Sequence, residues 1–340
     1  MKLKTFSALL TIPALSFSLA ACSSSGDNGG SEDSGSTESS SENSESVTVT
    51  DGYDNEVTLE ETPENVVALE WVYAEDLLAL GMQPAGIADL DGYNDYLADI
   101  EPAPSEDVQD VGTRQEPSLE RIAELEPDLI ITAGYRHEGI KEELEEIAPT
   151  LMYNPYPAEG EGNQYEEMES TFESIAKAVG EEDKAAQVLN DLDETYDELS
   201  TEIEDAGRSD EEVLLSLSYL ANENVTFRLF ADNSLAAQTM EQIGVDNAYE
   251  SRQFEEYGYT ETSVDALENY QDQTFIDIPT PEGDRGTIEE TLNNNEVWNS
   301  LSFVQNDNVH RLPSSTWPYG GPLSSEVFAE EVADTLTSEE

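Results

Sequence analysis

Apolar and polar positions along this chain change period several times, and each change predicts an element. Val47-Thr48-Val49-Thr50 alternates strictly, Asp51-Gly52 follows as a turn, and Val57 to Leu59 is a second short strand; the pattern reads as an edge hairpin. From Val66 onward short apolar runs alternate with helical stripes. Val66 to Leu69 predicts a strand, Ala74 to Leu80 a helix ended by Gly81, and Ala85 to Ala88 a strand. Leu119 to Leu125 predicts a helix stopped near Pro127, Leu129 to Thr132 a strand, and Ile140 to Ile147 a helix. Such βα units imply a largely parallel sheet covered by helices.

A loop rich in Tyr, Pro and Gly (Tyr153 to Tyr165) leads into two helices, Glu166 to Val179 and Glu181 to Asp205, separated by Gly180. The second carries Ala185, Val188, Leu192, Tyr196, Leu199 and Ile203 at helical spacing over a length unusual for one compact lobe. It is long enough to join two lobes. A second alternating set runs through Val213 to Tyr219, Ser234 to Ile243, Val264 to Tyr270 and Phe275 to Ile278, and closes with a helix from Ser324 to Thr337. The expected class is therefore α/β: two α/β lobes with largely parallel central sheets, joined by one long α-helix, with a ligand cleft between them. The boundaries follow as 47–165 for the first lobe, 166–206 for the helical segment and 207–340 for the second lobe.

The amino terminus decides where such a body works. Lys2 and Lys4 precede an apolar run, Phe6 to Leu19, too short to span a bilayer, and Leu19-Ala20-Ala21-Cys22 places small residues before the one cysteine of the chain. This resembles a bacterial lipoprotein signal, residues 1–21, with Cys22 as the lipidated first residue of the mature protein. An ordinary secretory signal with an incidental cysteine is the alternative, and both imply export. Residues 22–46 then read as a tether: from Ser23 to Ser46 there are eleven Ser, four Gly, six acids and no apolar side chain, so no surface is buried to offset the entropy of ordering. A coil of that length reaches roughly 27 Å.

Charge narrows the partners. With 77 acids against 13 bases the formal charge is −64, which excludes nucleic acid and predicts adaptation to high salt, where a Debye length of about 3 Å at 1 M screens self-repulsion. A calcium loop at Asp89-Leu90-Asp91-Gly92-Tyr93-Asn94-Asp95 fails, because Gly stands fourth rather than sixth and Ile100 occupies the place of the closing Glu. One cysteine forms no disulfide framework, and His137 and His310 are too few for a zinc cage, although one could ligate a haem. No HExxH, GxSxG, P-loop or GxGxxG occurs, so no enzyme is expected and no intrinsic cofactor.

The scarce cations and the aromatics carry the remaining information. Arg114 sits in DVGTRQEPSLE, a turn leading into a helix, and Tyr135-Arg136-His137 follow the strand LIITAG. Loops beyond the carboxyl ends of strands line the crevice of an open α/β sheet, so both segments are candidates for one cleft. Trp317 and Tyr319 lie on a loop stiffened by Pro and Gly, TWPYGGPLS; Trp71 and Trp317 are equally compatible with a core position. Arg136, Arg228, Arg252 and Arg311 are expected to pair with surface acids.

Five ordered blocks, VVALEWVYAEDLLALGMQPAGIAD, VGTRQEPSLERIAELEPDLIITAGY, RLFADNSLAAQTMEQIGVDNAY, TSVDALENY and WPYGGPLSSE, resemble the ferric hydroxamate siderophore-binding proteins of bacterial ABC importers. The resemblance runs from Val66 to about Glu330. It implies two lobes bridged by a long helix, and a non-enzymatic receptor that holds a ferric siderophore whose own atoms coordinate the iron, so that no side chain need be a metal ligand. Arg114 then matches the arginine that meets the hydroxamate oxygens, and Tyr135 the tyrosine beside it. Trp71, Trp317, Tyr319 and, in place of a second-lobe Trp, Tyr257 near Phe254 would be cleft aromatics. Glu120 and Asp265 match the acids, one on each lobe, that dock on an ABC permease with its cytoplasmic ATPase. The resemblance leaves ferric citrate, a catecholate, haem or cobalamin as alternative ligands, and a surface hydrolase or adhesin as an alternative class. A monomer, held at the outer face of the cytoplasmic membrane by its lipid anchor, is expected.

Overall fold

Two sheets carry the fold in a computed structural model that describes residues 46–209, 211–281 and 285–338. The signal, Cys22 and nearly all of the tether lie outside the described residues.

The first half comprises β1 (Val47–Thr50), β2 (Glu56–Leu59), β3 (Val66–Ala68), α1 (Trp71–Ala79), β4 (Gly86–Ile87), α2 (Leu90–Tyr96), β5 (Gln109–Asp110), α3 (Leu119–Glu124), β6 (Leu129–Ala133), α4 (Gly134–His137), α5 (Lys141–Glu145) and β7 (Thr150–Tyr153). Strands β5-β4-β3-β6-β7 form a wholly parallel sheet. Every residue of β3, β6 and β7 is buried, as expected of strands covered on both faces. The hairpin β1–β2 pairs antiparallel beside this sheet, and its loop is held by the Asp51 carboxylate, which accepts from the backbone N–H of Tyr53 and of Asn55 at 2.9 Å. The segment rejected above as a calcium loop forms α2.

Next come α6 (Gln164–Val179) and α7 (Glu182–Asp205). Asn163 caps α6 in a reciprocal box with Glu166, and Gly180, at φ 74°, turns the chain into α7. Along α7 the packing partner changes. Ala185 belongs to the core beneath the first sheet, whereas Leu192, Tyr196 and Ile203 belong to the core of the second.

The second half comprises β8 (Glu212–Ala221), β9 (Asn224–Phe230), α8 (Leu235–Gln242), β10 (Asp246–Asn247), β11 (Tyr259–Thr262), β12 (Thr274–Pro279), α9 (Arg285–Asn293), α10 (Ser302–Gln305), β13 (Val309–Arg311) and α11 (Pro322–Thr337). Its sheet runs β11-β9-β8-β12-β13, with β10 beside β8. Pairings of β8 with β12, of β12 with β13 and of β8 with β10 are parallel; β9 adds antiparallel neighbours on both sides. β9 is absent from the elements expected above, although Asn224–Phe230 alternates polar and apolar residues, with Val225, Phe227 and Leu229 buried and Thr226 and Arg228 between them. Val264–Asn269 forms a 3₁₀ helix rather than an α-helix. On β12 the buried Asp277 accepts from Ser216 and Ser218 of β8 at 2.6 and 2.7 Å, so a polar residue is satisfied inside the sheet.

Candidate ligand-binding site

Four of the five strands of the first sheet deliver a side chain to one cavity just beyond their carboxyl ends. Glu70, Trp71 and Val72 follow β3, Arg114 follows β5, Tyr135 and Arg136 follow β6, and Pro155 and Tyr156 follow β7. The opposite wall comes from the second half: Arg228 on β9, Tyr257 and Tyr259 at β11, and Trp317 and Tyr319 on the loop before α11. The space between them measures about 350 Å³.

The aromatics form a nearly continuous rim. Trp71 meets Trp317 edge-on with centroids 5.2 Å apart, and Trp317 meets Tyr319 at 5.2 Å. Tyr319 reaches Tyr259 at 6.2 Å, Tyr259 reaches Tyr257 at 6.4 Å, and Tyr257 reaches Tyr156 at 5.0 Å. Tyr156 closes on Tyr135 at 5.2 Å. Trp71 serves the core and the cleft at once: its indole N–H donates to the carbonyls of Ala88 and Asp89 at 3.2 and 3.1 Å, while the Arg114 guanidinium lies over its ring, 3.9 Å from the centroid.

Electrostatics centre on a residue that sequence reasoning missed. Glu70 precedes α1 and is buried; one carboxylate oxygen pairs with Nη2 of Arg114, and the other accepts from Nε of Arg136 at 2.6 Å and from the Tyr135 hydroxyl at 3.4 Å. Burial pulls the Arg136 guanidinium down, but the Glu70 charge, Tyr135 and the hydrogen bonds to both together outweigh it and leave the group above its ordinary value. Burial likewise lowers Arg228, yet Tyr319, Tyr259 and Glu261 leave it raised, so both stay cationic. Burial, with Glu70 adding to it, pushes Tyr156 up to about 12 and raises Tyr135 further. Kept neutral, these phenols offer hydrogen bonds rather than phenolate charge.

All six candidate binding residues, Arg114, Tyr135, Trp71, Trp317, Tyr319 and Tyr257, line this cavity. The expectation of a surface pair is corrected for Arg136, whose acid is buried, and holds for Arg228, whose acid Glu261 is exposed; both arginines nevertheless line the cavity. Arg228 also holds Glu261 at 3.3 Å and stacks 4.5 Å from the Tyr259 centroid. Arg311 does pair with an exposed acid, Glu289, at 3.3 Å. Neither histidine is among the lining residues; His137 is buried against Thr132 at 2.5 Å, and burial lowers its pKa. Glu120 on α3 and Asp265 on the 3₁₀ helix are exposed and lie outside the cavity wall. Besides Glu70, sequence reasoning missed Tyr156 and Tyr259. Tyr156 had a usable signal in the Tyr- and Pro-rich loop after β7; Glu70 had none, since one acid among 77 does not stand out.

Residues 66–316 match the family model described as "Periplasmic binding protein". Among curated proteins, the Fe(3+)-citrate-binding protein YfmC of Bacillus subtilis is 31% identical over 92% of this chain and 90% of its own. The iron(3+)-hydroxamate-binding protein FhuD of Escherichia coli is 30% identical over 81% of this chain and 87% of its own. Among solved structures, the Fe3+-Desferal-bound siderophore-binding protein FhuD of Vibrio cholerae superimposes with a TM-score of 0.72 at 28% identity, covering 81% of this chain and 98% of that one.

Proposed function

The chain belongs to the periplasmic binding protein family, and from that premise we propose that it is a lipid-anchored receptor for an iron(III)-siderophore, of hydroxamate type, which it passes to an ABC permease. Members of this family bind and deliver ligands rather than transform them. The observation that carries the ligand class is the cavity wall: guanidiniums from Arg114, Arg136 and Arg228 set among Trp and Tyr rings. Guanidiniums offer forked donors to oxygen ligands, and aromatic faces cover the apolar periphery of a chelate. The chelate supplies its own iron ligands, and the protein reads its outer surface. Cys22 is proposed as the membrane anchor, 22–46 as the tether, and 47–165 and 207–340 as lobes joined through 166–206. Glu120 and Asp265 are proposed as the acids that meet the permease, where opposite charge would steer and register the complex.

A second reading, a carboxylate chelate such as ferric citrate, is favoured by the same two arginines whose expected place was the surface. Three guanidiniums line the cavity with Glu70 as the carboxylate among its lining residues and Glu261 behind Arg228, a net positive wall that suits an anionic chelate.

The test is a titration of the protein in molar salt with iron-loaded and iron-free desferrioxamine and citrate, following tryptophan emission, since Trp71 and Trp317 line the cavity. Saturable quenching by the ferric hydroxamate alone supports the first reading; quenching by ferric citrate alone selects the second. No response to any ferric chelate from folded protein overturns both.

A further inference from the structure

Glu70 is the one carboxylate in the cavity wall, and its position is not that of an ordinary helix cap. It occupies the residue before α1, yet its side chain makes no hydrogen bond to the helix N-terminus. Both oxygens turn instead to the arginines, with 4% of the side chain exposed against 15% for Arg114 and 21% for Arg136. The contact to Arg136 is side-on, through Nε, so Glu70 takes neither terminal nitrogen of that guanidinium, which also meets the Tyr135 hydroxyl. Arg114 is held by one terminal nitrogen and by the Trp71 face, and its buried Nε has no protein partner. Glu70 therefore fixes two forks from behind while cancelling one of their charges. In a partly desolvated wall such a charge acts on a ligand more strongly than it would in water, and salt screens it less than a surface charge.

We infer that Glu70 is the specificity-determining residue of the cleft: it orients Arg114 and Arg136 and sets how much negative charge an accepted chelate carries. This rests on the reading of the cleft as an iron-chelate site. The charges that face the cavity are Arg114, Arg136, Arg228 and Glu70, with Glu261 against Arg228. Removing the Glu70 charge leaves Arg114 and Arg136 unopposed, while Arg228 keeps its pair with Glu261, and this favours anionic chelates and disfavours cationic ones.

The experiment compares ferric citrate, an anionic complex, with ferric desferrioxamine, whose three hydroxamates neutralise the iron while a protonated amine remains. Affinities of both are measured on the purified protein and on Glu70→Gln, Glu70→Asp and the double variant Glu70→Gln/Arg136→Gln, in molar salt, with thermal unfolding to establish folding. Glu70→Gln should raise the ratio of citrate to desferrioxamine affinity about tenfold, and the double variant, which restores the net charge, should bring the ratio back. Glu70→Asp keeps the charge but withdraws the carboxylate, so both affinities should fall while their ratio stays within about twofold. A ratio unmoved in Glu70→Gln overturns the inference. If Glu70→Gln does not fold, the double variant and Glu70→Asp decide: a double-variant ratio more than about threefold from wild type, or undiminished affinities in Glu70→Asp, overturns it. Wild-type protein that binds neither chelate is a separate outcome and refutes the iron-chelate reading itself.

Discussion

Arg114 shows how one side chain is shared between structure and ligand. It stacks on Trp71, pairs with Glu70 and still lines the cavity. Arg114→Ala should therefore weaken ferric-chelate binding by roughly 1.5–3 kcal/mol, the range of a charged hydrogen bond, as read from the dissociation constant; an unchanged constant removes Arg114 from the site. A second residue makes a prediction about pH. Asp76 of α1 is fully buried, one of its carboxylate oxygens has no partner, and burial, with Glu75 beside it, holds its pKa well above the ordinary carboxylate value. The folded state thus keeps a proton that the unfolded chain releases above about pH 3.9, so this group's contribution to stability is whole at lower pH and is lost as pH rises. Asp76→Asn imitates the neutral form. It should raise the urea midpoint at pH 7 and make the decline of stability from pH 4 to 7 shallower; an equally steep decline refutes the assignment.

At the scale of elements, the ends of α6 and α11 are held by specific side chains and by one left-handed glycine. Asn163 accepts from the N–H groups of Tyr165 and Glu166, both at 2.9 Å, and starts α6. Asn163→Ala should cost about 1 kcal/mol of stability by chemical denaturation. At the other end of that helix, Gly180 is left-handed, and a Cβ there would meet Thr62 only at ordinary contact distance, 3.5 Å. Gly180→Ala should cost about 1–2 kcal/mol, from backbone conformation alone. The N-terminus of α11 is held differently: Glu75, on α1, accepts from the Ser324 N–H at 2.7 Å and the Ser324 hydroxyl at 2.6 Å. A carboxylate from the first half thereby anchors the helix that follows the Trp317 and Tyr319 loop of the second.

For the whole molecule, a formal charge of −64 works against compaction at low ionic strength. The denaturation midpoint should rise between dilute buffer and molar sodium chloride; a midpoint that falls contradicts salt adaptation. Aromatic contacts span the cleft at two places, Trp71 to Trp317 and Tyr156 to Tyr257. Docking is separable from binding at this scale. Reversing both exposed acids, Glu120→Lys with Asp265→Lys, should abolish chelate uptake in cells while leaving the tryptophan titration unchanged, and uptake at the wild-type rate would remove these residues from the permease contact.

By itself the sequence determined whatever depends on neighbours along the chain. The buried strands Val66–Ala68 and Leu129–Ala133, the stripe of α7 and the stop at Gly180 are local patterns: a strand covered on both faces reads as a continuous apolar run, and burial on a helix repeats with its period. Arg114, Tyr135, Trp317 and Tyr319 were legible from scarce cations and aromatics on loops, whereas Trp71 and Tyr257 were assigned to the cleft only through the resemblance. Only the tertiary structure decided what lies opposite them. β9 alternates in sequence, but that it pairs antiparallel with both β8 and β11 is decided only by the fold. Arg136 and Arg228 could not be told from surface cations, and Glu70 could not be told from 76 other acids, because a charge acquires its role from groups brought near by folding. The pairing of Glu70 with Arg114 and Arg136 joins residues from three strand ends, and distance in space, to which sequence spacing is blind, sets its strength.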